Sequence, residues 1–452
     1  MTHLETVFVP NRGEVALRIV RACRDLGLRS VVGHSAEDAD SLPVRLADDS
    51  FCLGPAQATH SYLNIPAVLY GCAKTGADSV HPGYGFLSED PLLARACADA
   101  GVVFVGPSAE HLALLGDKIA TRQAFADTGI PVLPGSTGPL RGVEDALEQA
   151  GRIGYPVVLK AAAGGGGTGV QPVPGPDELI GAFPRMTRNA DRQFTDGRLF
   201  LERYVPSARH IEVQLLADQH GNIVHLGDRC CSVQRRYQKL LEEAPAPGLP
   251  SRLRRKLHRA AVRGAEAIGL TSVATFEFLV TGPEEFFFIE ANPRLQVEHP
   301  VTEAITGIDL VEWMLRVAAG ERLAFDQDGV VSRGHAFEAR INAEDPEKGW
   351  LPSTGRITDL VLPGGVGVRV DTHAHPGYRV PPFYDSLLAK VIVRGDDRPE
   401  SLRRLGRALA EFDCVGVSTN TGVHQRVLAH PAFQAGDYGL DLVETITAAV
   451  VR

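Results

Sequence analysis

The sequence predicts a multidomain protein of mixed α/β and α+β class that opens with a doubly wound α/β unit. Three observations carry this. Strand-like and helix-like segments alternate over residues 1–113, as in a sheet covered by helices on both faces. A small unit at 135–205 is then built around a run of four glycines, Gly164 to Gly167. Beyond it, alternating strands and Gly/Pro turns take over and persist to a final helical pattern.

Taken in order, an apolar strand at 6–9 runs into a charged amphipathic helix at 14–26, and a second strand follows at 30–33. Further short strands are expected at 79–80 and 102–105, with the turn His81-Pro82-Gly83-Tyr84-Gly85 between them. A helix at 117–128 leads to Pro131-Val132-Leu133-Pro134-Gly135, a hinge by composition. From Gly334 onward strands and turns such as Pro363-Gly364-Gly365 dominate, before a helix at 399–412. These shifts divide the chain into 1–113, 114–331 (containing the unit 135–205) and 332–452.

Size and composition agree. A chain of 452 residues is too long for one compact core. With 44% hydrophobic and 22% charged residues it has the make-up of an ordinary globular protein. A net charge of −9 argues against nucleic acid as a partner. No signal peptide and no apolar run of membrane-spanning length is visible. The seven cysteines show no CxxC spacing, so neither a disulfide framework nor a zinc site is expected, and a cytoplasmic location fits.

The glycine run follows an apolar strand, Tyr155 to Lys160. Consecutive glycines let backbone N–H groups wrap phosphate oxygens. Gly164, Gly166 and Gly169 formally fit GxGxxG, but Val170-Gln171-Pro172-Val173-Pro174 cannot be the interior of the helix that a dinucleotide fingerprint opens. No GK[ST] follows, so it is not a Walker loop. Strand–loop–strand is the better geometry: a flap that closes over a triphosphate.

The most polar stretch is Asn292-Pro293-Arg294-Leu295-Gln296-Val297-Glu298-His299-Pro300. It follows an aromatic strand at 285–290. In extended backbone Glu290, Asn292, Arg294, Gln296 and Glu298 would share a face, which needs water, a metal or a substrate to satisfy it. Upstream, 274–280 alternates around Glu277, and a Gly282-Pro283 turn links the two strands as a hairpin with Glu277 opposite Glu290. Opposed like charges are unfavourable unless a cation lies between them. Oxygen-only ligation by Glu277, Glu290 and Asn292 favours Mg2+ or Mn2+ over zinc. The plainer alternative is two half-exposed strands with solvated glutamates.

These residues together resemble a known family. Asn11-Arg12-Gly13-Glu14, His81 to Glu89, Gly116-Asp117-Lys118, Gln234-Arg235-Arg236, Gln238-Lys239, Glu242 to Pro247, Gln296 to Pro300 and Arg340 to Pro346 are similar, collinearly, to biotin carboxylase. The resemblance implies an N-terminal α/β domain, an ATP-grasp region with a mobile lid, and a C-terminal carboxylase domain. It implies ATP, Mg2+ or Mn2+, and biotin as a carrier-borne substrate. The family phosphorylates bicarbonate to carboxyphosphate, whose CO2 is captured by the biotin ureido nitrogen. By motif position Lys118, Lys160, Gly166 and Gly167 hold phosphates. Glu202-Arg203-Tyr204-Val205 is the adenine-contacting hinge, with His210 and Tyr237 near the nucleotide. Glu277 contacts both nucleotide and metal, and Glu290 and Asn292 complete the metal site. Lys239, Arg294 and Val297 form the bicarbonate pocket, Glu298 is the base, and Arg340 serves bicarbonate and the biotin enolate.

The chain departs from the pattern at Pro10, Ala163, Thr168, Cys230 and Tyr237, where the family usually has alanine, a fifth glycine, a cation, aspartate and histidine. None of Met1, Met186 and Met314 precedes a lysine, the family's biotin-attachment signature, so biotin is expected on another polypeptide. A biotin carboxyl carrier protein and a carboxyltransferase subunit are the implied partners, and a homodimer the implied assembly. The competing readings are an ATP-grasp ligase for another carboxylate and a degenerate nucleotide-binding paralogue.

Overall fold

The computed structural model describes residues 4–164, 169–194 and 196–450. The predicted N-terminal alternation is present. Strands β1 (Thr6–Val9), β2 (Arg29–Ser35), β3 (Asp49–Gly54), β4 (Ser79–Val80) and β5 (Val103–Phe104) form a parallel sheet in the order β3-β2-β1-β4-β5. The order reverses between β1 and β4, where open α/β sheets place their ligands, beyond the carboxyl ends of the strands. The loops after these two strands are tied there: the Asn11 amide donates to the carbonyls of Pro82 and Tyr84, at 2.6 and 2.8 Å.

The unit at 135–205 carries β6 (Val157–Ala161), β7 (Val170–Val173) and β8 (Leu199–Arg203), an antiparallel sheet in the order β7-β6-β8. Helices Val143–Ile153 and Pro176–Phe194 cover it, and Leu159, Leu179 and Leu201 sit in a core of its own. The strand–loop–strand geometry expected around the glycine run is therefore seen in its flanks. Gly166, Gly167 and Thr168 lie outside the described residues. The proline-rich segment before the unit is held on both sides, with Val132 bridged to Phe288 and Gly135 to Glu202.

Eight of the remaining strands build one sheet, and the others pair in three two-stranded ribbons of the C-terminal part. The members of the large sheet are β9 (Arg209–Ala217), β10 (Ile223–Arg235), β11 (Gln238–Ala244), β12 (Ser272–Val280), β13 (Phe286–Asn292), β14 (His335–Asn342) and the strands Val368–Thr372 and Leu387–Gly395. The order is β13-β12-β9-β10-β11-β14, then Leu387–Gly395, then Val368–Thr372. β11 pairs directly with β14, so the sheet crosses the sequence division placed at 331/332. Phe276 and Phe288 on the back of the hairpin pack at a tilt against Phe125 from helix Lys118–Asp127, with centroids 4.9 and 4.6 Å from its ring. That aromatic packing fixes the hairpin against the body of the domain and leaves its charged face toward the cavity.

One expectation is corrected. The polar stretch does not continue as a strand with a shared face. β13 stops at Asn292, Pro293 to Gln296 are irregular, and Val297-Glu298 form a turn into helix His299–Thr306. Pro293 has no N–H for a ladder bond, and the chain turns there. No described helix is long and apolar enough to cross a membrane. All seven cysteines are free thiols.

Candidate active site

A cavity of about 560 Å³ opens where the three parts meet. Its walls include Asn11, Tyr84, Lys160, Tyr204, His210, Tyr237, Glu290, Arg294 and Arg340. Its floor is a row of charges on neighbouring strands. Register sets Glu290 of β13 beside Glu277 of β12, Glu277 beside Glu212 of β9, and Glu212 beside Arg229 of β10. The predicted opposition of Glu277 and Glu290 is thus present, and a third carboxylate extends it.

Lys239 neutralises much of this row. Its ammonium lies 2.6 Å from Glu212, 2.8 Å from Glu277 and 2.6 Å from Glu298. Burial alone would push the lysine down, but the three carboxylates outweigh it and hold it well above its usual range. Arg229, fully buried, binds the other oxygen of Glu212 and donates to Gln214 and Thr302 at 2.8 and 2.9 Å.

Glu298 is 0% exposed and is gripped from two sides. Oε1 meets Lys239, and Oε2 meets the Arg340 guanidinium at 2.8 Å. Burial opposes its ionisation, yet Lys239, Arg340 and Arg229 outweigh that and keep it well below the usual carboxylate range. Arg340 is itself shared: the same nitrogen lies 2.6 Å from Glu242. Glu242 is pushed up to about 7 by burial and by the charge of Glu298, against the pull of Arg340. Glu338, opposite Glu242 across the β11–β14 pair, is raised further, chiefly by burial.

The hairpin carboxylates fit a divalent cation. Burial and the charge of Glu277 hold Glu290 above its usual range despite Lys118 and Lys160. Glu277 is instead held well below, because Lys239 and His210 outweigh its burial. The Asn292 amide is 2.9 Å from Glu277, and Lys118 is 3.6 Å from Glu290. Buried Glu277 beside half-buried Glu290 at the cavity wall, with an amide next to them, offers oxygen donors of the type magnesium and manganese take. His210 caps the other oxygen of Glu277 at 2.9 Å, while its second ring nitrogen meets Gln234 at 2.8 Å.

Lys118 and Lys160, which the resemblance assigns to phosphates, lie close to Gly164 and to Glu202. Lys160 ends 2.6 Å from Glu202, which also meets Arg122 at 3.3 Å. Lys118 donates to the Gly164 carbonyl, and Gly164 has φ +103°, a conformation a side chain would resist. Arg203, Tyr204 and Val205 line the cavity. The Glu202 side chain is 1% exposed and points at Lys160 and Arg122. Arg294 leans across to Glu89 of the N-terminal unit. Tyr237 occupies the β10–β11 turn at φ +67° and lines the cavity. Cys230, where the family has an acid, faces Arg209 at 3.7 Å and Ser232 at 3.3 Å, on the side away from Lys239. It is Cys231 that lies within reach of Glu212 and Glu298.

Sequence reasoning missed Glu212, Arg229, Glu242 and Glu338. A signal for Glu212 existed: His210, Glu212 and Gln214 alternate along β9 as Glu277 does along β12. Glu242 has a measurable consequence. Its folded value is raised, so it favours folding below the unfolded value near 4.5, and that contribution is lost as pH rises to about 7. Glu242→Gln keeps the shape and cannot ionise. Its melting temperature is expected to rise relative to wild type between pH 5 and pH 8, by the equivalent of ~3 kcal/mol. Parallel thermal scans check this, and a gap that is constant with pH contradicts it.

Comparison with known proteins matches this geometry. Residues 3–112 fit the family model described as biotin carboxylase, N-terminal domain, and 338–445 fit the biotin carboxylase C-terminal domain. Residues 117–325 fit the ATP binding domain of carbamoyl-phosphate synthase L chain. The biotin carboxylase of Nostoc sp. is 46% identical over 97% of this chain and 98% of its own. That of Pseudomonas aeruginosa is 48% identical over 98% of each. Among solved structures, the biotin carboxylase domain dimer of Hydrogenobacter thermophilus 2-oxoglutarate carboxylase, with MgADP, ADP and bicarbonate, superposes with a TM-score of 0.96 at 40% identity, covering 98% of each chain. A biotin carboxylase–nucleotide complex from Campylobacter jejuni gives 0.95 at 42% identity, over 98% of this chain and 99% of that one. The three-part architecture, the charged floor of the cavity and this full-length identity converge, and the chain belongs to the biotin carboxylase family.

Proposed function

We propose the following division of labour in ATP-dependent carboxylation of biotin by bicarbonate, the activity of the family to which this enzyme belongs. The carrying observation is Glu298: a fully buried carboxylate held between Lys239 and Arg340, next to the Glu277–Glu290 pair. Glu277, Glu290 and Asn292 hold Mg2+ or Mn2+, which neutralises the phosphate charge of bound ATP. Lys118, Lys160, Gly166 and Gly167 hold the phosphates, and the segment 202–205 with His210 and Tyr237 holds the base end.

Lys239, Arg294, Arg340 and the Val297 backbone form the bicarbonate pocket. Glu298 removes the bicarbonate proton. While clamped by two cations it is ionised but a weak base. As bicarbonate enters and draws Lys239 and Arg340 to itself, the cations that depressed Glu298 stabilise the new dianion instead, and its basicity rises. The dianion oxygen then attacks the γ-phosphorus and ADP leaves. Carboxyphosphate breaks down to CO2 and phosphate, the released phosphate takes the ureido N–H proton, and the biotin nitrogen attacks the CO2. Arg340 steadies the negative charge on the ureido oxygen during that last transfer.

Biotin is presented by a carrier outside this sequence, since no methionine here precedes a lysine. A carboxyl carrier protein and a carboxyltransferase subunit, in the cytoplasm, complete the system. A homodimer fits the apolar side chains left in the open by the C-terminal part, among them Val361, Leu362 and Val415, with Val366 at 85% exposure.

The test separates the two half-reactions on one preparation. Arg340→Ser is expected to lower labelled carboxybiotin formation at least about tenfold more than bicarbonate-dependent ADP release. Arg340→Lys keeps the charge but not the planar fork, and is also impaired. Equal losses in both assays confine Arg340 to bicarbonate or to the fold. ATP turnover stimulated only by another acid would make the enzyme a different ATP-grasp ligase.

A further inference from the structure

Behind the turn that carries Glu298 lies a second group of buried charges that the proposed steps leave unused. Lys390, on the strand Leu387–Gly395, is 0% exposed and sits across the ladder from Arg340. Its ammonium lies 3.0 Å from Glu14 and donates at 3.0 Å to the carbonyl of Val297. Asp371 stands 4.0 Å away. Glu14, on helix Gly13–Asp25, also accepts from the hydroxyl of Tyr84, which lines the cavity. The anchors therefore come from the N- and C-terminal parts of the chain, and Lys390 carries them to a peptide carbonyl of the middle part.

A buried ammonium is costly, and a well-packed apolar side chain would serve stability as well or better. Its position is what sets it apart. The Val297 carbonyl belongs to the peptide plane that leads into Glu298. Val297 and Glu298 lie in a turn outside every strand, so no ladder bond fixes that plane. Lys239 and Arg340 hold the carboxylate from the front, and Lys390 holds the backbone from behind. Functional side chains must be kept within about 0.5 Å of productive geometry, and second contacts of this kind do so.

We infer that Lys390 is a positioning residue for the bicarbonate step, clamping the Val297 carbonyl so that Glu298 faces Lys239 and Arg340, with Glu14 and Tyr84 tying the clamp to the N-terminal domain. This rests on the role proposed for Glu298. Fixing that peptide keeps the base and its cations in register when bicarbonate displaces their mutual contacts. Nucleotide binding, governed by the lid and the hairpin carboxylates, does not depend on it.

Removing the lysine alone would leave Glu14 with unpaired buried charge, whereas Asp371 keeps its ion pair with Arg369. The test therefore uses the charge-balanced pair Lys390→Met with Glu14→Gln, beside Glu14→Gln alone, which keeps the lysine. For each protein and wild type, ADP release is measured against bicarbonate and against ATP, with MgATP affinity and melting temperature. The double variant is expected to lose at least about tenfold in kcat/KM for bicarbonate, with its MgATP Kd within about twofold of wild type. Glu14→Gln is expected to fall between the two.

A folded double variant with wild-type kcat/KM for bicarbonate overturns the inference. So does loss of MgATP affinity in step with turnover, which would mark a purely structural role. If the double variant does not fold, Glu14→Gln decides: unchanged kcat/KM for bicarbonate overturns the inference, and a selective loss supports it. Wild-type enzyme without bicarbonate-dependent turnover would overturn the functional reading itself, and this inference with it.

Discussion

Glu290→Lys is expected to abolish ATP turnover in a folded protein. The substitution removes an oxygen donor from the Glu277–Glu290–Asn292 set and puts an ammonium where the proposed divalent cation would sit. It also sets a third cation beside Lys118 and Lys160, whose charges already bear on Glu290. Because wild-type Glu290 is held above its usual range by burial and by Glu277, its own charge is strained rather than stabilising. The fold should therefore tolerate the change better than catalysis does. Steady-state ADP release, with a thermal scan to confirm folding, is the measurement. Near-normal turnover would remove the hairpin from the metal site.

Glu298→Gln is expected to keep MgATP binding and to lose bicarbonate-dependent turnover by about 10²-fold or more, the usual share of a positioned base. The amide preserves shape but cannot take the proton. It also loses the charge that Lys239 and Arg340 both contact, so both cations become freer to hold bicarbonate itself. Bicarbonate affinity should fall less than kcat does. Retention of a tenth of wild-type kcat would limit the effect to about 1.4 kcal/mol, too little for general-base catalysis.

The hairpin shows how much of this site was legible and where legibility stopped. Two aromatic strands around Gly282-Pro283 announce themselves by period and turn chemistry, because a hairpin is local. Yet the turn alone does not oppose Glu277 to Glu290. Near the turn the register pairs Val280 with Phe286 and Phe278 with Phe288, which carried further would set Glu277 against Ile289. A bulge between Phe278 and Glu277 absorbs Ile289 and brings the two carboxylates level. The stretch after Asn292 misled for the opposite reason. Its residues alternate like a strand, but alternation has no meaning without a partner strand. There the chain instead crosses over to meet Lys239, Arg340 and Lys390.

By itself the sequence determined the doubly wound opening unit, the strand–loop–strand around the glycines, the hairpin and, through its long collinear motifs, the family. Each of these depends on residues near one another in the chain, where hydrophobic period, turn residues and motif spacing act directly. Only the tertiary structure decided which charges face each other. Glu212, Glu242 and Glu338 gather around Lys239 and Arg340 because β9, β10, β11 and β14 lie side by side in one sheet, although 126 residues separate Glu212 from Glu338. Lys390 reaches Val297 and Glu14 across all three parts. Coulomb interactions in a buried site depend on separation in space and on the water removed from between the groups. Neither quantity is written in sequence order, so the residues that tune Glu298 became visible only once the sheet was assembled.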